Sequence, residues 1–349
     1  MLQMGVHARV NTGRPDDLVL LAHGSGGSMG RELVEKRLLA HIANPLLAKL
    51  DDSALLSCGG RLAFTTDSYV VSPLVFPGGD IGRLAVCGTV NDLAMVGAQP
   101  VALSLALIIE EGLEMAMLDT VMRSIGAACT EAGVDVVTGD TKVVNRGKAD
   151  GLFITTAGIG VVPDGVDISG RNARPGDRVL VSGTLADHGV AIMSAREGLS
   201  FTTTISSDCA PLNGLVRAML HECAEDIHSM RDPTRGGIAS TLNELAAQSG
   251  VSILIEEDAL PVRPQVRSAC DMLGLDPLYV ANEGKLVAVV APKHAARLLE
   301  VMRAQPLGAD AADIGVVVEG KPGRVMMRTT LGSVRLVQML AGELLPRIC

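Results

Sequence analysis

The feature that most constrains the fold of this chain is a regular alternation of strand-like and helix-like segments. In the first half, the β-rich stretch 61–71 precedes a helical pattern that begins after Asp80, and the apolar run 101–109 precedes a long amphipathic segment that ends near Gly133. An N-cap aspartate and a terminal glycine are typical helix boundaries, and short apolar runs between turns favour buried strands. The pattern therefore predicts sheets covered by helices.

The second half repeats this alternation, which indicates two domains. A chain of 349 residues has room for roughly two domains of about 150 residues each. The polar, turn-rich segment PDGVDISGRNARPGD separates the two halves. We predict an α+β protein with an N-terminal domain at residues 1–165, a C-terminal α/β domain at residues 175–335 and a flexible tail at residues 336–349.

Composition excludes several classes of protein. The hydrophobic fraction of 48% and the charged fraction of 20% suit packed cores. A net charge of −9, an aromatic content of 2% and the lack of a Lys/Arg cluster argue against a nucleic-acid partner. The run 101–109 is too short to span a bilayer, and the opening residues lack an apolar signal core. We expect a cytoplasmic protein with no membrane partner.

The cysteines suggest neither a disulfide framework nor a zinc cage, because the seven are scattered and no CxxC motif occurs. The last of them, Cys349, ends the sequence. A thiol at a mobile chain end could enter a narrow site, whereas the alternative is that Cys349 is simply where the chain stops.

Three polar clusters interrupt otherwise apolar strands, and each contains an aspartate. Carboxylates are hard oxygen ligands of the kind that Mg²⁺ prefers, and a nearby lysine can reach a phosphate. The alternative is that each aspartate only caps nearby backbone amides. Because their segments are expected to neighbour one another in one sheet, the clusters favour a metal–nucleotide site. The residues are Asp67 in TTDS, Asn91 and Asp92 in VNDLAM, and Asp140, Thr141 and Lys142 in TGDTK.

Three further motifs carry weaker signals. HGSGGSMG (23–30) lacks the GxGxxG spacing, although glycine amides can still wrap a phosphate. RDPTRGG (231–237) combines Arg235 with a Gly-Gly helix start, which suits an anion site. ANEGK (281–285) places Glu283 just before a strand.

These motifs in this order resemble the HypE family of hydrogenase expression/formation proteins. The resemblance runs from about residue 17 to residue 349 and is carried by LAHGSGG, FTTDSYVVSPLVFPGGDIGRLAVCGTVNDLAMVGAQP, TGDTKVV, RDPTRGG, NEGK and the final PRIC. Aminoimidazole ribonucleotide synthetase, selenophosphate synthetase and thiamine-monophosphate kinase share the central block in looser form. PRIC singles out the HypE family among them.

The resemblance implies an N-terminal ATP-binding domain whose strands join those of a partner in a β-barrel at a homodimer interface, and a C-terminal α/β sandwich domain. It also implies a reaction. The carbamoyltransferase HypF places a carbamoyl group on the final cysteine, and ATP is used to dehydrate that group to a thiocyanate. The cyanide then passes to iron on the HypC–HypD complex, for the active site of [NiFe]-hydrogenase.

The resemblance implies roles for particular residues, with ATP and Mg²⁺ as cofactors. Glu283 is expected to be a base, although a glutamate beside a strand can equally bind metal. The expected catalytic residues are Cys349, Lys142 and Glu283. The expected metal ligands are Asp67, Asp92 and Asp140. The expected nucleotide-binding residues are Gly24, Ser25, Gly26, Gly27, Asp67, Asn91, Asp92, Asp140, Thr141 and Arg235.

Two alternatives stay open from the sequence. Selenophosphate synthetase carries a reactive cysteine or selenocysteine in its glycine-rich region, and HGSGGSMG has neither. A non-catalytic carrier, in which Cys349 binds a partner and nucleotide only gates the tail, differs from the dehydratase in one observable. Only the dehydratase releases ADP in a manner that depends on carbamoylated Cys349.

Overall fold

The structure is a computed structural model, which describes residues 17–24, 28–49, 53–198, 205–339 and 348–349. Within these residues, the strands form one sheet of four, one of seven and a small pair. The strands are β1 (Arg61–Tyr69), β2 (Val75–Phe76), β3 (Gly79–Asp80), β4 (Gln99–Glu110), β5 (Asp135–Val144), β6 (Leu152–Val162), β7 (Arg178–Val181), β8 (Ile227–Arg231), β9 (Ser252–Glu256), β10 (Val287–Val290), β11 (Ala312–Val318), β12 (Arg324–Arg328) and β13 (Val334–Val337).

Helices cover both large sheets. The first two helical segments are joined by a π-helical turn at Val34–Leu38. The α-helices are α1 (Ser28–Leu33), α2 (Leu39–Ile42), α3 (Ile81–Met95), α4 (Met115–Ala132), α5 (Asp187–Glu197), α6 (Asn213–Cys223), α7 (Gly237–Ser249), α8 (Pro264–Leu273) and α9 (Pro292–Arg303). None of these described helices has the combination of length and apolar composition that a membrane crossing requires.

The four-stranded sheet has the order β1-β6-β4-β5, with β4 and β5 parallel and the other pairs antiparallel. Helix α3 packs against this sheet and against α4. Its first turn is closed by Asp80, whose carboxylate accepts hydrogen bonds from the amides of Gly82 and Arg83 at 2.8 and 3.0 Å. Such a cap stabilises a helix by about 1 kcal/mol. The predicted N-cap is therefore confirmed, and it fixes where α3 begins.

The seven-stranded sheet has the order β13-β12-β9-β11-β7-β10-β8. Alternate residues of its central strands enter different cores: Leu180 and Ala288 lie in one hydrophobic cluster, while Val179 and Val287 lie in another. Because successive strand residues point to opposite faces, both faces of this sheet are covered.

The two sheets are joined by shared packing. The chain leaves β6 at Val162 and enters β7 at Arg178, and Val166 and Ile168 between them are buried. Helix α3 contacts α6, and residues of α5 and α8 pack into the same core as α3 and α4. The two sheets are therefore held together by hydrophobic packing that residues from both halves of the chain share.

The predicted α+β class with sheets covered by helices is confirmed. The sequence patterns did not predict α8, α9, β8, β12 or β13. The predicted start of the tail at residue 336 is wrong, because Leu336 and Val337 pair with β12 in β13. Three of the four residues of β13 are exposed, so its sequence carries almost no buried apolar period by which a strand can be recognised.

Candidate active site

A cavity of about 350 Å³ lies between β1, α3 and the segments around β8 and β10. Its walls come from both sheets, and most of its charged groups are acidic. The lining residues are Thr66, Asp67, Tyr69, Gly88, Asp92, Arg231, Asp232, Thr234, Arg235, Ser240, Thr241, Glu244, Glu283 and Cys349. Asp67, Asp92, Arg235, Glu283 and Cys349, which the sequence analysis placed in the site, are thus brought together.

Helix α3 and strand β1 hold Asp92 in the cavity wall. The Thr65 hydroxyl donates a 2.7 Å hydrogen bond to Oδ2 of Asp92. Burial raises the pKa of Asp92, and the nearby carboxylate of Asp67 raises it further. Removing water disfavours a charged carboxylate, and so does a second one beside it. A cation placed between these two carboxylates would therefore stabilise the ionised form of Asp92.

Asn91, the neighbour of Asp92, faces away from the cavity. Its Nδ2 donates to the carbonyls of Ala210 and Glu283 at 3.1 and 3.2 Å, and its Oδ1 accepts from the amide of Leu212 at 2.7 Å. The side chain is only 1% exposed. Asn91 thus fastens α3 to two connecting segments of the C-terminal half. This corrects the nucleotide-binding role predicted for it, because its polar atoms are already engaged by backbone groups.

Glu283 lies at the buried end of the cavity, with 3% of its surface exposed. Its amide donates to Oδ1 of Asp208 at 3.0 Å, and its carbonyl is held by Asn91. Burial raises the pKa of Glu283 well above its usual value, and the carboxylates of Asp232 and Asp208 add to this. Among the described residues, Oε1 of Glu283 has no hydrogen-bond partner. A buried carboxylate oxygen without a partner indicates that a proton, a cation or a substrate group completes it.

Asp232 follows β8 directly and faces the same space. Burial raises its pKa to about 7, with the negative charge of Asp92 as the next cause. Positive φ angles at Gly236 and Gly237 turn the chain into α7, and a Cβ on Gly237 would lie 2.5 Å from the Leu278 carbonyl oxygen. Glycine is therefore required at position 237, where the RDPTRGG segment passes under the cavity.

Sequence reasoning named Asp232 only as part of its motif and missed it as a site carboxylate. Its position immediately after a strand, next to a Gly-Gly helix start, was the available signal.

Cys349 is seated at the cavity rather than extended into solvent. Its carbonyl accepts a hydrogen bond from the amide of Val70 at 3.2 Å, and the preceding Ile348 is only 4% exposed within the core shared with α3 and α5. Burial raises the pKa of the Cys349 thiol, and Glu283 raises it further, while Arg235 acts in the opposite sense. The expected mobile tip is therefore docked in this structure; residues 340–347 lie outside the described residues.

A second cavity of about 920 Å³ contains the other predicted residues: Gly24, Asp140, Thr141 and Lys142 all line it. A Cβ on Gly24 would come within 2.5 Å of the Val143 amide nitrogen, so the 21–24 turn runs against β5. The other predicted members of this glycine-rich loop, Ser25, Gly26 and Gly27, lie outside the described residues.

The expectation that Asp67, Asp92 and Asp140 form one metal site in a single chain is wrong. Asp67 lies on β1 and Asp140 on β5, which are opposite edges of the four-stranded sheet. Three strand spacings separate them, about 14 Å. They also face opposite ways: Asp140 is level with Ser68 across the sheet, one residue beyond Asp67. Adjacent positions on a strand point to opposite faces, so the sequence placed these segments in one sheet without giving their order in it.

The residues in the smaller cavity fit a divalent cation with a phosphate group. Asp67, Asp92 and Asp232 supply hard oxygen ligands. The raised pKa values of Asp92 and Asp232 indicate that the protein alone does not place enough positive charge or solvent near these carboxylates to stabilise their ionised form. Together with the orphaned Oε1 of Glu283, this arrangement favours a bound cation over a capping role for the three aspartates.

Comparison with known proteins defines the class first. Residues 50–162 match the N-terminal domain of AIR synthase related proteins, and residues 174–328 match the corresponding C-terminal domain. The fold is therefore that of an AIR synthase related protein. Within that class, the chain belongs to the HypE family, as its motifs suggested. It is 57% identical over 330 residues to "Carbamoyl dehydratase HypE" of Bradyrhizobium diazoefficiens, covering 94% of this chain and 95% of that protein.

Solved structures agree with this assignment. A crystal structure of the hydrogenase maturation protein HypE in complex with ATP superposes with a TM-score of 0.92 at 50% identity, covering 95% of this chain and 99% of the other. A HypE chain from a crystal structure of a HypE–HypF complex gives a TM-score of 0.78 at 48% identity, covering 88% and 99%.

Proposed function

We propose that this chain uses ATP to dehydrate a carbamoyl group on Sγ of Cys349 to a thiocyanate, the source of cyanide ligands for the iron of [NiFe]-hydrogenase. The observation that carries this proposal is the docking of Cys349 at a cavity lined by Asp92, Asp232 and the buried Glu283. Family membership supports it, because the similar Bradyrhizobium protein is a carbamoyl dehydratase.

The reaction converts S–C(=O)–NH₂ and ATP into S–C≡N, ADP and phosphate. The carbamoyl oxygen attacks the γ-phosphorus while one N–H proton leaves, which gives an O-phosphorylated imidate. Loss of the second N–H proton then forms the C≡N bond as the C–O bond to phosphate breaks. Two protons must therefore be removed from the nitrogen of the carbamoyl group that Sγ of Cys349 carries.

Glu283 is the residue placed to take these protons. It lines the same cavity as Cys349, and its carboxylate interacts electrostatically with the thiol. Its orphaned Oε1 is free to accept a hydrogen bond from the carbamoyl nitrogen, and its raised pKa makes it a stronger proton acceptor once ionised. Arg235 supplies positive charge close to the same thiol.

Mg²⁺ would be held by Asp67, Asp92 and Asp232. When bound, it would neutralise the charge of the phosphates during transfer. With these three carboxylates holding the cation, Glu283 would remain available as a base in the same cavity.

A homodimer would complete this site. Within the described residues, one face of the four-stranded sheet packs on α3, while the other presents apolar side chains to solvent: Leu62 is 52%, Phe64 72% and Ile108 40% exposed. Both β1 and β5 are edge strands, and open edges invite pairing with another copy. Pairing of β1 with the partner's β5 would bring the partner's Asp140, Thr141 and Lys142 towards Asp67. Sedimentation showing only monomer at micromolar concentration would contradict this.

The partners proposed beyond the dimer are the carbamoyltransferase HypF, which loads Cys349, and the HypC–HypD complex, which receives the cyanide. A HypE–HypF complex among the similar structures supports the first of these. We further propose that the protein acts in the cytoplasm, where these steps and ATP are available together.

A mass spectrum of the peptide Leu344–Cys349 tests the reaction. The protein is first carbamoylated by HypF, and the carbamoylated protein is then incubated with or without ATP. Without ATP in this second step we expect Cys349 to stay carbamoylated, and with ATP we expect that adduct to lose one water. If ADP forms but the carbamoyl group on Cys349 is never dehydrated, the protein is instead a carrier in which nucleotide only gates the tail.

A further inference from the structure

The segment that ends in Cys349 is held by a side chain that sequence analysis gave no role. Nε2 of His188, in the first turn of α5, lies 2.7 Å from the carbonyl oxygen of Ile348. His188 is fully buried, and its ring stands edge-on to Phe76 with 5.6 Å between ring centroids. A buried, oriented imidazole on the residue before the reactive cysteine is placed to fix where that cysteine lies.

The hydrogen-bond partners of His188 determine its tautomer. The Ile348 carbonyl can only accept, so Nε2 carries the proton. Nδ1 lies 2.8 Å from Oγ of Ser207, which in turn accepts a 3.1 Å hydrogen bond from the amide of Cys209. Burial lowers the pKa of His188, so the ring is neutral and Nδ1 accepts from the Ser207 hydroxyl. The chain of bonds runs from Cys209 through Ser207 and His188 to Ile348 without a conflict.

Further contacts hold the last two residues on either side of the hydrogen bond between His188 and Ile348. The side chain of Ile348 is buried in the shared core, and the amide of Val70 donates to the carbonyl of Cys349. His188 and Ser207 thus belong to the C-terminal half of the chain, while Val70 belongs to β1 and its extension. The last two residues are clamped between the two halves.

We infer that His188, oriented by Ser207, is a positioning residue that docks the Ile348 carbonyl and so aims Sγ of Cys349 into the carboxylate cavity. His188 does not touch the reacting atoms. It acts through Ile348, by restricting the positions of the carbamoyl group before phosphate transfer, which is the kind of ordering that raises the rate of a step between bound groups.

The primary test is the rate at which iodoacetamide alkylates Cys349 in the nucleotide-free protein, followed by mass spectrometry of the peptide Leu344–Cys349. His188→Ala removes the bond and is expected to raise this rate about 2- to 10-fold, the effect of one hydrogen bond on a docking equilibrium. His188→Gln places an amide donor near the position of Nε2 and should restore slow alkylation. Ser207→Ala should act in the same direction as His188→Ala, because the tautomer loses its partner.

His228 provides the matched control. It is also a buried histidine, bonded through Nδ1 to Asp177 at 2.7 Å, and it lies outside the cavity lining. His228→Ala should lower stability but leave the alkylation of Cys349 at the wild-type rate. If His188→Ala and Ser207→Ala both leave that rate unchanged, or if His228→Ala raises it equally, the inference is overturned.

The second readout rests on the proposed function. In carbamoylated protein, His188→Ala should slow single-turnover thiocyanate formation by a similar factor while the KM for ATP stays unchanged, and His188→Gln should recover the rate. An equal rate for His188→Ala and wild type would overturn the positioning role. If carbamoylated wild-type protein yields no thiocyanate, the proposed function fails, and the alkylation rates still decide whether His188 docks the segment.

Discussion

The two cavities contain similar residue types in opposite surroundings. In the smaller cavity, Glu283 is 3% exposed and Asp92 and Asp232 have raised pKa values because burial removes water from them. In the larger cavity, the side chains of Lys142 and Asp140 are 65% and 64% exposed and form an ion pair at 3.4 Å. Exposed ion pairs contribute little to the free energy of unfolding, because solvent screens their charges. The carboxylates of the first cavity are therefore perturbed by burial within one chain, whereas solvent screens the charges of Asp140 and Lys142 in the second.

The largest expected loss of dehydration rate follows substitution of Asp92 in the smaller cavity. Asp92→Asn keeps an oxygen to accept the bond from Thr65, so the fold should persist. It removes the negative charge that we propose holds the cation. Such a cation contributes several kcal/mol in the transition state, so ATP-dependent dehydration should fall by more than about 100-fold. Phosphate release in single-turnover reactions measures this. Asp135→Asn, an exposed position on β5, is the control. A wild-type rate in Asp92→Asn would refute the metal assignment.

A smaller loss is expected at the exposed site. If Lys142 donates a charge-assisted hydrogen bond to phosphate or to the carbamoyl oxygen, Lys142→Ala should slow dehydration about 10- to 100-fold. Its free energy of unfolding should change by less than about 0.5 kcal/mol, because the side chain is on the surface. HypF should still load Cys349. Loss of loading would instead assign Lys142 to the docking of HypF.

Mixing these two variants distinguishes a shared site from one made by a single chain. If β1 of one copy meets the partner's β5, an Asp92→Asn chain paired with a Lys142→Ala chain has one intact site of two. Random exchange should then restore about a quarter of wild-type activity, since half of the dimers are mixed. If both residues act within one chain, every site in the mixture is defective and activity stays at the level of the separate variants.

The smallest expected effect concerns stability and sharpens the electrostatic side of the comparison. The folded-state pKa of Asp232 is raised to about 7 from 3.8, so its stabilising contribution is present at low pH and is lost as the pH rises through 7. Asp232→Asn should therefore raise the Tm of the metal-free protein at pH 8 by about 2–4 °C, the shift for about 2 kcal/mol in a chain of this length, with little change at pH 4. Asp164→Asn, at an exposed turn, should shift neither. A lower Tm for Asp232→Asn at pH 8 would show that the carboxylate is favourably paired.

Local signals predicted much of the fold. The cap at Asp80, the C-terminal glycine of α4 at Gly133 and the apolar period of β4 each depend on neighbours in sequence, and the structure has them where expected. Strand β13 was missed because its side chains face solvent. Its position is determined by pairing with β12, an interaction between strands that the local pattern does not encode.

The candidate site was predicted in part for the same reason. Asp67 and Asp92 were grouped from the expected neighbourhood of their segments, whereas Glu283 and Cys349 joined them only through the family resemblance. All four meet in one cavity. Asp140 was assigned to them because β5 belongs to the same sheet as β1. The order of strands, which separates the two, is a tertiary property. His188 was passed over because a histidine at a helix start has many ordinary uses, and its partner is 160 residues away.

The adjacent pair Asn91–Asp92 has a consequence for which substitutions the chain can tolerate. Successive helix residues point about 100° apart, so one faces the other half of the molecule and the other faces the cavity. The amide at position 91 both donates to two carbonyls and accepts from one N–H, which a carboxylate cannot do. Exchanging the two residues would leave composition, charge and helix propensity nearly unchanged. It would nevertheless set a carboxylate against two carbonyl oxygens and remove from the cavity the carboxylate that we propose holds the cation. Whether a related chain keeps this site thus depends on the order of two chemically similar residues. Comparing the compositions of two chains would not reveal that the site had been lost.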